Sequence, residues 1–189
     1  SAPARPPAGG FGAGAPCRAV SGTLPACATY GGYESPYLVA FDPQDGDICY
    51  IFVQGTGLYR STAGVSGTFT AVSDSPTFCS HLLVDADSIV WVCDPSGAAG
   101  SNLHKYNGSG WTVVSSPANK LLTIAVDPFN TDRIVGTNAD GATCQTLNGG
   151  ASWLGNSNWN AMSELAWLAS ARLAASTTDP VSTTGRGPN

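Results

Sequence analysis

Carboxylates are the first residues to weigh for catalysis, because an inverting glycosidase needs two of them about 6.5–9.5 Å apart. The sequence of 189 residues holds only two glutamates, Glu34 and Glu164. The aspartates stand mostly in turns, where such side chains bond nearby backbone. We therefore assign no catalytic residue, and Glu34 and Glu164 are the carboxylates that a hydrolase would have to use. The turn aspartates are Asp42, Asp45, Asp47, Asp127 and Asp132.

Patterns for metal or nucleophile chemistry are missing from the sequence. His81 and His104 lack the spacing of metal ligands. No Gly-x-Ser-x-Gly elbow is present, and the acidic turn at 42–47 lacks the spacing of an EF-hand calcium loop. We predict neither a metal site nor a cofactor.

Four aromatic residues outside the repeat described below are the best candidates for binding a ligand. Sugar rings present flat C–H faces that pack on aromatic planes, while neighbouring polar groups bond the hydroxyls. The alternative is that these rings cover a subunit interface, where Tyr and Trp are also enriched. The candidate residues are Tyr30, Tyr33, Trp159 and Trp167.

Composition excludes two classes of partner. The net charge is −5 and the eight basic residues are scattered, which argues against nucleic acid. No apolar run approaches the roughly 20 residues of a membrane span. The sequence begins at Ser1 rather than Met, which predicts a processed or trimmed form. An extracellular or cell-surface location is expected from the cysteines described next.

The six cysteines are even in number and include no Cys-x-x-Cys pair, so zinc is disfavoured. Disulfides in an oxidising compartment are the preferred interpretation, with Cys17 and Cys27 as a local loop. Buried free thiols are the alternative. The cysteines are Cys17, Cys27, Cys49, Cys79, Cys93 and Cys144.

An internal repeat must position all of these residues. Phe69, Trp111 and Trp153 recur every 42 residues, each after a turn of small residues. Four short strands in each unit of about 40–45 residues are typical of a β-propeller blade. The predicted strands are 37–41, 48–53, 57–61 and 68–73, then 81–84, 89–93, 102–106 and 111–115, then 122–126, 133–137, 142–146 and 152–154.

The predicted fold is therefore all-β, with about three four-stranded antiparallel blades. We divide the chain into an extended N-terminal arm with a disulfide loop at 1–35, three blades at 36–156, and an insertion with the start of a further blade or a tail at 157–189. Residues 163–169 are expected to form a short helix or an inserted loop. A ring usually needs four to eight blades, so we predict either a homo-oligomer or the remainder of a longer chain.

Two stretches resemble known families. Residues 146–153 resemble the Asp-box, or BNR repeat, which implies a propeller and no particular chemistry. Residues 30–33, 38–43, Tyr50 and 57–60 resemble the opening blade of family-74 glycoside hydrolases, the xyloglucanase group. That group places a catalytic Asp five residues before the position of Tyr59, where this chain has Gln54. The second family carboxylate lies in a further propeller.

An amide neither donates a proton as a general acid nor accepts one as a base. The resemblance thus implies the fold and an extracellular setting, and it argues against the activity. We predict a non-catalytic extracellular β-propeller module for glycan binding or assembly, with carbohydrate as the expected ligand. The alternatives are a fragment or remote relative of a xyloglucanase-type hydrolase, and a structural subunit of an extracellular polymer.

Overall fold

The computed structural model describes residues 24–25, 37–117, 120–138 and 142–156, and the backbones of 162–168 and 172–177. All regular structure in these residues is β. Three four-stranded antiparallel sheets follow one another along the chain, each with its strands in sequence order. Their strands are β1 Tyr37–Phe41, β2 Cys49–Val53, β3 Gly57–Ser61 and β4 Thr70–Ala71; β5 His81–Val84, β6 Val90–Cys93, β7 Leu103–Tyr106 and β8 Trp111–Val114; β9 Leu121–Val126, β10 Ile134–Asn138, β11 Thr143–Thr146 and β12 Leu154–Asn156.

The sheets stack through their first strands. β1 packs against β5, β5 packs against β9, and β9 packs against a further strand, β13, at Met162–Leu168. β13 pairs with β14, Arg172–Thr177, in a two-stranded antiparallel sheet. The three complete sheets are therefore the blades of a partial β-propeller, as the repeat predicts, and we call them blades 1, 2 and 3. Three blades and a hairpin are fewer than the four to eight blades that close a ring.

The second strand of each blade lies in the core because apolar residues cover both faces of the sheet. In β2, Cys49, Ile51 and Val53 face one side, and Tyr50 and Phe52 face the other. All five residues of this strand are buried, which explains why it is continuously apolar and does not alternate. One core cluster joins blade 1 to blade 2 and another joins blade 2 to blade 3.

The turn at 148–150 shows why small residues precede the repeated tryptophan. Gly149 and Gly150 have φ of 63° and 92°, values that favour glycine. A Cβ on Gly150 would lie 2.3 Å from a methyl carbon of Val114 in blade 2. The side chain of Asn148 accepts hydrogen bonds from the hydroxyl of Thr146 and the N–H of Ser152. The identity of this turn as an Asp-box stays a prediction.

The short helix or inserted loop expected for 163–169 is wrong for residues 163–168, which lie in strand β13. Leu165, Ala166 and Trp167 are paired with Ala175, Ala174 and Leu173 of β14. Leu and Ala favour a helix in isolation, but pairing with β14 and packing on β9 decide the conformation. The proposed division at 35 and 157 stays a prediction. Leu24, within the predicted arm, packs on the outer side of blade 1.

The disulfide prediction is wrong for the four cysteines that the structure describes. Cys49, Cys79, Cys93 and Cys144 are free and buried. Each fills a core position as a small apolar side chain. Cys93 and Cys144 lie in one core cluster, Cys79 in a second and Cys49 in a third. Cys17 and Cys27 lie outside the described residues, so their predicted loop is untested.

Candidate functional site

The aspartates that end the first strands have a backbone role. Asp42, Asp85 and Asp127 are at most 5% exposed. In each case one carboxylate oxygen accepts the backbone N–H two residues later at 2.9 Å. The prediction that Asp42 and Asp127 shape turns is confirmed. Asp45 does the same for the N–H of Asp47 at 3.0 Å.

These turns also join the blades to one another. The hydroxyl of Ser88 in blade 2 donates to Asp42 of blade 1 at 2.8 Å, and Thr131 of blade 3 donates to Asp87 at 2.7 Å. The second carboxylate oxygen of Asp85 accepts the indole N–H of Trp91 at 2.7 Å. Both carboxylate oxygens of Asp85 and one carboxylate oxygen of Asp42 are therefore engaged in structural hydrogen bonds.

The side chain of Gln54 joins blade 1 to the segment that leads into blade 2. Its side chain is buried, and its carbonyl oxygen accepts the backbone N–H of Cys79 at 3.0 Å. Its amide nitrogen donates to the backbone carbonyl oxygen of Cys79 at 2.5 Å. Asn102 repeats the arrangement with Leu121 at 3.1 and 2.7 Å. A carboxylate has no donor for the second bond, so this position requires an amide.

Neither histidine is placed to act as a metal ligand. Burial lowers the pKa of His81 to about 4, and its Nδ1 lies 3.2 Å from the hydroxyl oxygen of Thr123. Burial also lowers the pKa of His104, against the opposing effect of Asp94, whose carboxylate lies 4.0 Å away. Within the described part of the chain, no three His, Cys, Asp or Glu side chains form a metal-binding group.

The predicted ligand-binding aromatics are not brought together by the described geometry. Tyr30, Tyr33 and Trp159 lie outside the described residues, as does Glu34. Trp167 and Glu164 lie on β13, where only the backbone is described, opposite Leu173 and Ser176. The assignment of these four aromatics to a ligand therefore stays a prediction.

A cleft of about 320 Å³ runs between the first strands of blades 2 and 3. Its walls are mostly apolar, with His81 and Asp85 as the polar exceptions. Leu82 and Val84 contribute from β5 and Val126 from β9, and Pro43 and Pro128 stand at the turns that follow first strands.

A second, more polar cavity of about 200 Å³ lies between the outer parts of blades 2 and 3, and we call it the interblade crevice. Sequence reasoning missed it, since its residues come from six separate segments. Asp132 was predicted to be a turn residue, but among the described residues its carboxylate accepts no hydrogen bond that closes the turn; the side chain of Asn130 accepts the backbone N–H of Asp132 there instead. The crevice is lined by Asp85, Ile89, Trp91, Lys105, Asn107 and Thr112 of blade 2 and by Thr131, Asp132 and Gly149 of blade 3.

No transmembrane candidate occurs among the described residues, since they include no helix of the length and apolarity that a bilayer requires. No known protein family matches the sequence, and no curated protein matches it either.

Solved structures nevertheless share the fold. YCF48 from Cyanidioschyzon merolae is 14% identical over 65% of this chain and 38% of its own, with a TM-score of 0.50. YCF48 bound to D1 peptide is 13% identical over 81% and 52%, with a TM-score of 0.52. An ancestral GH74 enzyme is 17% identical over 69% and 20%, with a TM-score of 0.51. The chain thus spans about half or less of these proteins, and the likeness establishes a β-propeller fold alone.

Proposed function

We propose that this chain is a non-catalytic β-propeller segment that acts outside the cell as a carbohydrate-binding module. The observation that supports a non-catalytic role is the pair of hydrogen bonds between the Gln54 side chain and the Cys79 backbone, which we call the clamp. A buried amide that bonds both backbone groups of one residue stands where the related hydrolases are expected to hold an acid. The similarity to an ancestral GH74 enzyme supports carbohydrate as the class of ligand.

Retention on immobilised polysaccharide tests the proposal. We expect the full chain to be retained on insoluble xyloglucan or cellulose without releasing reducing ends. Trp159→Ala should reduce retention while the far-ultraviolet circular dichroism is unchanged. Phe129→Ala is the matched control, since Phe129 is an aromatic residue exposed on a blade turn and is not among the proposed ligand residues. Retention that is absent in the unmodified chain would refute carbohydrate binding.

Hydrolysis would identify the rival function. If β-glucan is cleaved and the activity is lost in Glu34→Gln or Glu164→Gln, the chain is a fragment or remote relative of a glycoside hydrolase. Gln54→Asp should not create activity, because the new carboxylate would be buried. It would also have no N–H to donate to the backbone carbonyl oxygen of Cys79.

Assembly is the second candidate function, and the outer face of blade 1 favours it. Val39 and Phe41 are each 52% exposed on β1. They lie opposite Ile51 and Cys49 in the sheet register, on the face that points away from blade 2. Exposed apolar residues on a blade face are typical of a surface that another sheet covers.

The mass in solution tests this assembly. We expect a mass that is a multiple of 19.2 kDa, reduced to that of one chain by Phe41→Asp. Phe129→Asp is the control, because it adds the same charge on an exposed turn. A single-chain mass for the unmodified protein at micromolar concentration would argue against self-assembly.

A further inference from the structure

The interblade crevice combines groups that are already bonded with groups that are free. Both carboxylate oxygens of Asp85 accept hydrogen bonds, from backbone N–H groups and from the indole of Trp91. The oxygen of the Asn107 side chain accepts hydrogen bonds from Ser109 and Gly110. No hydrogen bond or ion pair within the described chain engages the ammonium group of Lys105, the amide nitrogen of Asn107 or the carboxylate of Asp132. The crevice therefore offers unused donors and an unused acceptor.

The charges on its walls select against ions. Lys105 lies 5.9 Å from the centre of the Trp91 ring and disfavours a small cation. Asp85 and Asp132 disfavour an anion such as phosphate. A neutral ligand avoids both repulsions. Hydroxyl groups donate and accept hydrogen bonds at the same time, so a polyhydroxylated ligand suits this mixture of donors and acceptors.

The volume limits the size of such a ligand. A water molecule takes about 30 Å³ of liquid, so the crevice has room for about six or seven water molecules. That space suits one sugar unit and not a folded peptide segment. Thr112 adds a hydroxyl, Thr131 adds a hydroxyl oxygen that can accept while its proton is donated to Asp87, and Ile89 adds an apolar surface for a C–H face.

We propose that the interblade crevice between blades 2 and 3 binds one neutral sugar unit, with Lys105 and Asn107 as donors and Asp132 as acceptor. The assignment rests on the proposed carbohydrate-binding function and places a binding subsite within it. It does not involve the aromatic residues Tyr30, Tyr33, Trp159 and Trp167, so the two sets of residues are tested separately.

Nuclear magnetic resonance on the full chain tests the assignment with cellobiose as the probe. The indole N–H signal of Trp91, identified by its loss in Trp91→Phe, should shift in a saturable way as cellobiose is added. Lys105→Met and Asp132→Ala should each weaken the apparent affinity about five- to tenfold, the effect of losing one hydrogen bond. Lys120→Met is the matched control, because the Lys120 ammonium bonds Pro95 outside the crevice, and it should leave the affinity unchanged. Dispersed indole signals report that each variant is folded.

The outcomes separate this inference from the proposed function. A shift of the Trp91 signal that Lys105→Met and Asp132→Ala weaken supports the crevice, even if Trp159→Ala has no effect on polysaccharide retention. Retention on polysaccharide without any shift of the Trp91 signal overturns the crevice and leaves the proposed function intact. Tighter binding of inorganic phosphate or Mg²⁺ than of cellobiose at Trp91 also overturns it, since the charge argument would then be wrong.

Discussion

The indole N–H of Trp153 in blade 3 donates a hydrogen bond to the backbone carbonyl oxygen of Ser115 in blade 2 at 2.7 Å. Trp111 in blade 2 makes the same bond to Ser73 in blade 1 at 3.0 Å, across the same sequence separation of 38 residues. The repeated aromatic therefore fixes the distance between neighbouring blades as well as filling the space between them. Phe69 occupies the equivalent position in blade 1, has no N–H, and packs in the apolar cluster that includes Leu24.

Replacing either tryptophan by phenylalanine removes the interblade hydrogen bond and keeps only part of the aromatic packing. We expect Trp153→Phe and Trp111→Phe each to lower the free energy of unfolding by about 1–3 kcal/mol, because a carbonyl oxygen loses its donor and the smaller phenyl ring fills less of the space between the blades. Urea unfolding measures the change. Phe129→Leu, at an exposed turn, should have little effect. Equal stability of all three variants would show that the indole bonds do not hold the blades.

The clamp at Gln54 predicts a larger loss. Gln54→Ala leaves the N–H and carbonyl oxygen of Cys79 without their partners, at a cost of about 1–3 kcal/mol for each buried group. Gln54→Glu keeps the shape but removes the donor and buries a carboxylate, so it should destabilise the protein more at pH 7 than at pH 4. Gln44→Glu is the comparison, since Gln44 is an exposed glutamine that bonds a backbone carbonyl in the next blade. If Gln54→Glu is as stable as the parent chain at pH 7, the clamp is unimportant.

The buried thiols should be unreactive in the folded protein. Burial raises the pKa of Cys144 to about 12 and raises the pKa values of Cys49, Cys79 and Cys93 as well. The thiolate is the reactive form, so iodoacetamide at pH 8 should modify these four residues only after unfolding. Peptide mass spectrometry locates the modified residues. Rapid labelling of Cys93 or Cys144 in the native chain would contradict their burial.

The same pKa shifts predict a loss of stability in alkali. The pKa of a cysteine thiol in the unfolded chain is about 9. Because the folded-state pKa is higher, the folded chain keeps thiol protons above pH 9 that the unfolded chain releases. Stability from this source is complete below pH 9 and falls as the pH rises towards 12. Cys144→Ala should reduce that alkaline slope, as measured by urea unfolding between pH 8 and pH 10.

His81 predicts a pH dependence in the opposite direction. Its pKa is lowered from 6.5 to about 4 in the folded state, so the unfolded chain binds a proton first as the pH falls. The stability contribution is full above pH 6.5 and declines towards pH 4, by about 2 kcal/mol at pH 5. The difference in unfolding free energy between the parent chain and His81→Gln, followed from pH 7.5 to pH 5, isolates this residue from the carboxylates. A constant difference over that range would show that His81 is protonated equally in both states.

The sequence determined the local structure of this protein. Apolar runs and turn residues predicted β1, β3 and β5 with the bounds that the structure has, because strand formation there depends on neighbours within the same blade. The 42-residue period of the aromatics likewise predicted the propeller, since one blade cannot cover its own faces. The turn role of Asp42 followed from its position between two strands.

The tertiary structure decided everything that depends on contacts between blades. The side chain of Gln54 is hydrogen-bonded to the backbone of Cys79, 25 residues away. The indole of Trp153 donates a hydrogen bond to Ser115 in the neighbouring blade. The four described cysteines are free and buried because the stacking of the blades places each thiol in the apolar core, and cysteine spacing does not encode that stacking. Residues 163–168 became a strand for the same reason, since a paired neighbour outweighs helix propensity. The interblade crevice exists only where two blades meet, so no single segment carries its pattern.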